Sequence, residues 1–254
     1  MKIFIVCAHP EPKSFNHAMA NLAVEVLGER GHEVRVSDLY AMGFNPVGGR
    51  WEFKTLPDPD YFEYMSAQGF AARRGEITAD VAAEHEKLLW CDLLILQFPM
   101  WWFGMPAILK GWVDRVMSNG TAYSGEMSYE TGGFRGRRAS VSMTTSVASG
   151  YYEVSGRGGY MAHLLWPINN GTLRYCGFDV LPFFVADGIG DVDEETHRRY
   201  LEDYRAHLIG LETAEPFFFH TAEDYDDELR LKPGVAAQTE MQNPELLLKK
   251  ASGA

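Results

Sequence analysis

Residues 92–116 read DLLILQFPMWWFGMPAILKGWVDRV. The first eight residues are an apolar run that ends in a proline, which is typical of a strand buried on both faces of a sheet. Pro106 then stands at the first turn of a new segment, where proline favours a helix start. In that segment apolar residues recur at helical spacing, at Leu109, Trp112, Val113 and Val116. The stretch therefore predicts a strand, an aromatic loop and an amphipathic helix in succession.

The same alternation extends over most of the chain. Further strand-like runs are KIFIVCAH at 2–9, HEVRVSDLY at 32–40, RRASVSMTT at 137–145 and FDVLPFFVA at 178–186. Helices are predicted near 16–28, 79–90 and 193–209. Between Arg50 and Gly75 the chain is aromatic, charged and interrupted by prolines, which predicts a long excursion with little regular structure. Helices that alternate with apolar strands predict an α/β fold with a parallel sheet covered on both faces.

Three irregular segments follow predicted strands: AHPEPKSFN at 8–16, FPMWWFG at 98–104 and TTSVASGYY at 144–152. In parallel sheets ligands bind outside the carboxyl ends of the strands. The three loops are therefore expected to meet at one edge and to form a shared site.

The first of these loops carries hydrogen-bond donors, with His9, Lys13, Ser14 and Asn16 leading into a helix. It lacks G-x-G-x-x-G, and G-x-x-x-x-G-K-[ST] occurs nowhere in the chain, which disfavours those two phosphate sites. Backbone N–H groups at a helix N-terminus can still hold a phosphate. The alternative is a simple helix cap by Ser14 or Asn16, and this stretch alone favours the cap.

The other two loops are aromatic and rich in small residues. FPMWWFG lies between Pro99 and Pro106 and predicts a rigid aromatic wall for a planar ligand, with a core or dimer interface as the alternative. TTSVASGYY allows close backbone approach, and its N–H groups can stabilise negative charge on a ligand ring. The alternative for this loop is a flexible surface connection whose tyrosines pack on the surface.

Composition excludes several other classes of protein. A formal net charge of −12 argues against a nucleic-acid surface, because phosphate binding needs clustered Lys and Arg. Three widely spaced cysteines suit a reducing, cytoplasmic compartment better than a disulfide framework. The longest apolar stretch is interrupted by proline and glycine, so no membrane insertion is predicted. The histidines lack metal-site spacing, and no metal is expected.

With these residues laid out, the chain resembles the flavodoxin-like NAD(P)H:quinone oxidoreductases, the DT-diaphorase family. The stretches that carry the resemblance are AHPEPKSFNHAM, SDLYAMGFNP, QFPMWWFGMPAILKGWVDRV, FRGRRASVSMTT and LLWPINNGTLRYCGF. The resemblance implies an α/β, doubly wound, five-stranded parallel sheet in the flavodoxin order. It also implies a homodimer with two active sites at its interface and a tightly held FAD.

The resemblance further implies a reaction in two halves, in which NADH or NADPH passes hydride to the flavin and leaves before a quinone takes both electrons. A flavin-binding regulatory subunit of a transporter is the alternative from a different class, and an azo or nitro reductase is the alternative within the enzymes. No residue is an evident reader of a 2′-phosphate, so the preferred nicotinamide stays open. Residues 1–215 are expected to form the catalytic domain, and residues 216–254 an irregular extension that packs on the domain or on the dimer partner.

Site residues carry over from the family by position. The first loop would contact the pyrophosphate and ribityl chain through His9, Ser14, Phe15 and Asn16. The second would line the isoalloxazine with Pro99, Met100, Trp101, Trp102 and Phe103. The third would hold the pyrimidine edge with Thr144, Thr145, Ser146, Val147 and Tyr152. Tyr152 would be the catalytic phenol that stabilises the anionic reduced flavin, and Arg198 would lie near the phosphates. Substrate contacts would come from Trp102, Phe103, Tyr123 and Gly158.

The sequence departs from the family at several of these positions. Gly158 stands where the family has its catalytic histidine, and Arg157 and His163 are the candidates to replace it. Other departures are Ser146 and Val147 at a glycine pair, Gly125 at a second pocket tyrosine, Glu63 at a glutamine that reaches the adenosine half, and His197 at an arginine. Because most of the cofactor support lies at the ring, FMN stays an alternative to FAD.

Overall fold

The structure is a computed structural model that describes residues 1–238. Its centre is one parallel sheet of six strands: β1 Lys2–Cys7, β2 Glu33–Asp38, β3 Leu93–Pro99, β4 Arg138–Thr144, β5 Asp179–Val180 and β6 Phe184–Ala186. The order is β2-β1-β3-β4-β5, and β6 also pairs with β4. The predicted parallel α/β sheet is confirmed.

The expected single last strand is instead two short strands, which makes six strands rather than five. β5 and β6 both pair with β4 and are separated by Leu181–Phe183. Pro182 lies in this gap, and a proline has no N–H group to give to a sheet. The run at 178–186 thus follows one edge of β4, with a break at its proline.

Helices cover both faces of the sheet, as a doubly wound fold requires. They are α1 Phe15–Glu29, α2 Tyr64–Arg74, α3 Ala79–Trp90, α4 Ala107–Val116, α5 Met161–Leu164, α6 Trp166–Ile168 and α7 Glu194–Gly210, with a π-helical segment at Asn169–Arg174. Ile3 and Ile5 of β1 pack in a core with α1 and α7, whereas Phe4 and Val6 belong to a second core that includes Trp112 of α4. This alternation follows from the two-residue period of a strand.

The expectation of little regular structure between Arg50 and Gly75 was wrong in its second half, which contains α2. Glu63 caps this helix by accepting from the N–H groups of Met65 and Ser66. Gly75 ends it with a φ of 65°, a conformation that glycine adopts at little cost. These two cap residues allow a regular helix to form in a segment whose aromatic and charged composition had predicted irregular structure.

The first half of the segment at 50–75 is attached to the core by a buried ion pair. Arg115 Nε of α4 donates to Glu52 Oε2 at 2.6 Å, and its Nη1 pairs with Asp80 at 2.7 Å. Tyr64 O–H donates to the other oxygen of Glu52 at 2.8 Å. Because Arg115 is fully buried, loss of Glu52 would leave its charge with the partly exposed Asp80 as counter-charge.

The segment after α7 runs along the edge of β5. Phe217 N donates to Val180 O at 2.8 Å, and the ring of Phe219 packs on that of Trp166. Residues 239–254 of the predicted extension lie outside the described residues.

Candidate functional site

The three predicted loops lie at one edge of the sheet, as expected. In the strand registers Cys7 pairs with Gln97, Pro99 with Thr144, and Thr144 with Ala186. The carboxyl ends of β1, β3, β4 and β6 are therefore adjacent. The crevice outside such an edge is where open α/β sheets bind ligands.

A buried polar chain joins the loops beneath this edge. Gln97 Nε2 donates to Asn16 Oδ1 at 2.9 Å, and Asn16 Nδ2 donates to Thr144 Oγ1 at 2.9 Å. All three side chains are buried, so each needs these partners to offset its desolvation. The chain fixes the start of α1 against β3 and β4. The N–H groups of Phe15 and Asn16 in the first turn of α1 have no partner within the helix.

Ser14 caps α1, and His17 links its hydroxyl group to Asp38 at the end of β2. Its Oγ accepts from His17 N at 3.3 Å, while His17 Nδ1 lies 3.1 Å from the same oxygen. His17 Nε2 lies 3.0 Å from Asp38 Oδ2. His9 accepts from Glu11 N at 3.1 Å, and burial lowers the pKa of its imidazole. Hydroxyl and backbone donors at a helix N-terminus suit a phosphate ligand.

The aromatic loop forms a strained turn that projects its side chains into solvent. Trp101 and Gly104 exchange two backbone hydrogen bonds of 3.1 Å. Between them, Trp102 and Phe103 have φ values of 50° and 60°, which are rare for bulky residues. Trp102 is 96% exposed and Phe103 46% exposed. Exposed aromatic rings on a rigid, strained turn are typical of a ligand-binding wall.

Pro99 and Met100 anchor the base of this wall. Pro99 is buried as the last residue of β3, and Met100 N donates to Thr144 O at 2.8 Å. On the other side, the ring of Trp101 lies 6.1 Å from the ring of His9. The second loop therefore contacts both the first and the third.

The third loop begins as an extension of the β4 ladder and then exposes small residues. Thr145 is buried, and its Oγ1 donates to Val147 O at 2.7 Å. Ser146 and Val147 are exposed next to it. Tyr152 is 9% exposed, and burial, together with the charges of Tyr151 and Asp187, raises the pKa of its phenol. The phenol therefore stays protonated and can act as a hydrogen-bond donor.

Tyr151 explains why position 158 is a glycine. A Cβ added to Gly158 would lie 3.0 Å or less from three carbon atoms of the Tyr151 ring. Gly158 N also donates to Tyr151 O at 2.8 Å, which closes the loop on itself. The Tyr151 ring thus fills the space that a side chain at 158 would enter.

The two candidates to replace the family histidine differ in their surroundings. Arg157 is exposed in the loop. His163 lies in α5, with its ring 5.3 Å from that of Tyr160.

Tyr123 lies near the amino ends of the strands, at the edge of the sheet opposite to these loops. It follows α4, which runs back from the carboxyl edge, and it lies shortly before the start of β4. Its ring packs 5.5 Å from that of Tyr175. Beside it is an open groove of about 580 Å³, lined in part by Tyr64, Met65 and Val113. Within one chain, Tyr123 is therefore not brought together with the other predicted site residues.

Arg198 is not part of the cluster either. It is exposed on α7 and pairs with Glu195 at 2.7 Å. The preceding residue, His197, faces the site instead: its ring lies 5.1 Å from that of Phe15, and its Nε2 lies 3.0 Å from Ile189 O. Of the two neighbouring positions, the structure favours His197 as the one beside the first loop.

Two residues of the edge were missed by the sequence analysis. Gln97 is the only polar side chain in the apolar run at 93–99, and that exception was a usable signal for a functional or structural hydrogen bond. Asp187 follows β6 directly and lies beside Thr145. Nothing in its local sequence distinguishes it from a surface turn residue.

Other kinds of site are not found in residues 1–238. Across these residues no group of three or more metal-binding side chains is close enough to hold an ion. Cys7, Cys91 and Cys176 are buried and unpaired, and burial raises the pKa of each thiol to about 12. No helix between residues 1 and 238 has the length and apolar composition needed to span a membrane. The carboxyl edge of the sheet carries exposed aromatic rings, N–H donors and a phenol.

Comparison with known proteins gives consistent similarities. A family model described as a flavodoxin-like fold matches residues 1–229. The chain is 37% identical over 245 residues to NAD(P)H dehydrogenase [quinone] 1 of Cavia porcellus, covering 96% of this chain and 88% of that protein. It is 39% identical over 216 residues to ribosyldihydronicotinamide dehydrogenase [quinone] of Mus musculus, covering 85% and 94%. A Klebsiella pneumoniae crystal structure, of a protein assigned as a quinone reductase, matches with a TM-score of 0.87 and 35% identity over 94% of this chain and 96% of that one.

Proposed function

The chain belongs to the flavodoxin-like family, and from this premise we propose that it is an NAD(P)H-dependent quinone reductase that works through a bound flavin. The observation that carries the proposal is the meeting of the three loops at one sheet edge, with an exposed aromatic wall opposite a donor-rich helix start. The similarity to quinone dehydrogenases over almost the whole chain supports it. Flavodoxin-like quinone reductases bind flavin and NAD(P)H.

The residues at the edge fit a flavin. Ser14 and the first-turn N–H groups of α1 would hold phosphate, because the helix dipole and the unpaired donors favour an anion. The wall formed by Met100, Trp102 and Phe103 would cover one side of the ring. Thr145 and the exposed backbone at 146–147 would meet its pyrimidine edge.

We propose FAD as the flavin, with FMN as the alternative. The support for FAD is the similarity to relatives named as quinone dehydrogenases. The adenine end has weaker support from this chain, since Arg198 is paired with Glu195 on the surface and Glu63 caps α2. His197 next to Phe15 is the residue that we expect nearest to the phosphates.

When bound, the flavin accepts hydride from the nicotinamide and passes two electrons to the quinone. The protein orients the substrates and stabilises charge. Trp102 and Phe103 are expected to stack on each planar substrate in turn, because one open aromatic face accommodates one flat molecule at a time. This is the basis for a ping-pong order. Tyr152, protonated and largely buried, would donate a hydrogen bond toward negative charge at the ring edge.

We further propose a homodimer in which the partner completes the substrate site. Tyr123 lies at the opposite edge of its own sheet, so it can line a pocket with Trp102 only if it comes from a second copy. The open groove beside Tyr123, about 580 Å³ in volume, gives a second copy a surface to enter. Each protomer would then supply Tyr123 to the site of the other.

We also propose a domain boundary and a cellular location. Residues 1–215 are proposed as the catalytic domain and residues 216–254 as an extension, supported by the contacts of Phe217 and Phe219 with the domain. A cytoplasmic location is proposed because the three buried cysteines are free thiols.

The test is direct. Flavin released from the purified protein by heat is identified by chromatography, and stopped-flow absorbance follows flavin reduction by NADH and NADPH and then reoxidation by a quinone. We expect stoichiometric flavin, rapid reduction by at least one nicotinamide and rapid reoxidation. Protein that binds flavin but never accepts hydride would refute the enzyme and favour a regulatory flavin-binding subunit.

A matched pair of variants locates the substrate face. Trp102→Ala should raise the KM for quinone and leave folding intact, because its ring is almost fully exposed. Phe218→Ala removes another exposed aromatic ring, outside the three loops, and should leave KM unchanged. Light scattering on the same samples measures the dimer, and a monomer with full activity would contradict the shared site.

A further inference from the structure

Asp187 is a carboxyl group held rigidly at the same edge. It follows β6, where the backbone ladder continues past the strands: Thr145 N donates to Ala186 O and Ile189 N donates to Thr145 O, both at 3.0 Å. Tyr200 of α7 donates its O–H to the carbonyl of Asp187 at 3.0 Å. The carboxyl group therefore sits on a fixed frame beside the third loop.

The ionised form of Asp187 has little hydrogen-bond support. Thr145 Oγ1 is 2.7 Å from Val147 O and 3.4 Å from Asp187 Oδ1. A threonine hydroxyl has one proton, and the shorter bond to Val147 takes it. An ionised Asp187 therefore receives only the long 3.4 Å contact from Thr145. A protonated Asp187 can donate its own O–H across the same distance, and it no longer carries a partly buried charge.

The burial of Asp187 disfavours its ionised form. Within residues 1–238 it forms no ion pair. Thr145 lies beside its carboxyl group, its charge acts on Tyr152, and Tyr200 of α7 binds its backbone carbonyl. His197 of α7 is bonded instead to the backbone oxygen of residue 189. Burial raises the pKa of Asp187, and its negative charge raises the pKa of Tyr152.

We propose that Asp187 is the proton acceptor of the flavin edge, taking up one proton from solvent when negative charge is placed beside Thr145 and Tyr152. The inference rests on the proposed function, because reduction of the bound flavin is the event that supplies this charge. The nicotinamide is oxidised as its hydride leaves, and the solvent proton separately converts the Asp187 carboxylate to a carboxylic acid. Asp187 acts through Thr145 and Tyr152, so it is a positioning residue rather than a catalytic one.

The first measurement needs no flavin. Infrared difference spectra of flavin-free protein, recorded against pH, are compared between the wild type and Asp187→Asn, which keeps the shape and a donor for Thr145 but cannot ionise. Asp191→Asn is the matched control, because Asp191 is an exposed acid four residues away. We expect a carboxyl band that is missing only in Asp187→Asn and that titrates at higher pH than an exposed aspartate. A band that titrates in the ordinary aspartate range would overturn the proposal.

The second measurement follows proton uptake by the flavin-loaded protein. The flavin midpoint potential is titrated against pH in the three proteins, and its slope gives the number of protons taken up per two electrons. We expect Asp187→Asn to lose one proton relative to the wild type over the range in which Asp187 titrates, and Asp191→Asn to behave as the wild type. Equal slopes in the wild type and a folded, flavin-loaded Asp187→Asn would overturn the proposal. A chain that binds no flavin would refute the quinone-reductase function, and the infrared titration would still decide the protonation of Asp187.

Discussion

Gly158 stands where the resemblance places the family's histidine. Substituting a histidine at this position should destabilise the protein, because its side chain would clash with the Tyr151 ring. A Cβ at this position lies 3.0 Å or less from three carbons of the Tyr151 ring. The ring has to move by roughly 1.5 Å to restore an ordinary van der Waals separation. Such overpacking costs about 1–3 kcal/mol. We expect Gly158→His to lower the free energy of unfolding by about 2 kcal/mol.

The ring of Tyr151 can be removed to test this cause. Truncation in Tyr151→Ala removes the clash, so adding Gly158→His to that variant should cost almost nothing. The two substitutions are then expected to show a coupling energy of about 2 kcal/mol, which is within the range for residues in contact. Gly150→His is the matched control, because a Cβ at Gly150 meets nothing within 4 Å.

Chemical denaturation of the wild type, the two single variants, the double variant and Gly150→His measures these free energies. Flavin content, determined on the same samples, shows whether the third loop keeps its shape. If Gly158→His costs no more than Gly150→His, or if the cycle shows additive costs, then Tyr151 is not what excludes a side chain at 158 and the reasoning fails.

Three further predictions concern single groups. Tyr152→Phe should slow flavin reduction by NAD(P)H in stopped flow without loss of flavin, because only the donor is removed, and an unchanged rate would discard the role of the phenol. Burial lowers the pKa of His207 from its ordinary 6.5 to about 4, so the unfolded chain binds a proton first as pH falls. About 3 kcal/mol of the free energy of unfolding should therefore be lost between pH 6.5 and pH 4. Urea denaturation at several pH values should show that His207→Phe abolishes this loss. The same loss in both proteins would contradict the role of His207. Glu52→Gln should cost about 2 kcal/mol, because it removes the buried carboxylate partner of Arg115 and leaves the partly exposed Asp80 as counter-charge. The exposed-pair control Glu195→Gln should cost less than about 0.5 kcal/mol, and similar losses in thermal melts would refute the contrast.

The elements that depend on local periodicity were predictable from the sequence. The helix expected near 79–90 is α3 at Ala79–Trp90, and the apolar run at 92–99 is β3. Their apolar spacing is a property of neighbouring residues, so no distant contact is needed to recognise it. The helix α2 was missed because its caps, Glu63 and Gly75, are single residues within a polar, proline-broken stretch.

The candidate site was predictable only in part, because its contacts join residues that are far apart in the chain. Loop sequences indicated which segments would meet. They did not indicate that Asn16 turns its amide toward Thr144, 128 residues away. Nor could they show that Tyr123 lies at the far edge of the sheet, since that depends on the direction of α4 and on the packing against Tyr175.

The absence of a histidine at 158 and the presence of a carboxyl group at 187 belong to one physical arrangement. The Tyr151 ring occupies the space next to Gly158, so the third loop has no room there for a titratable side chain. Asp187 contacts Thr145 from the adjacent strand end and influences the same phenol, Tyr152. A group on a strand-end frame is held more rigidly than one on a loop, and its protonation can respond to charge at the edge without any movement of the backbone. Proton uptake at this edge is thus expected to depend on Asp187.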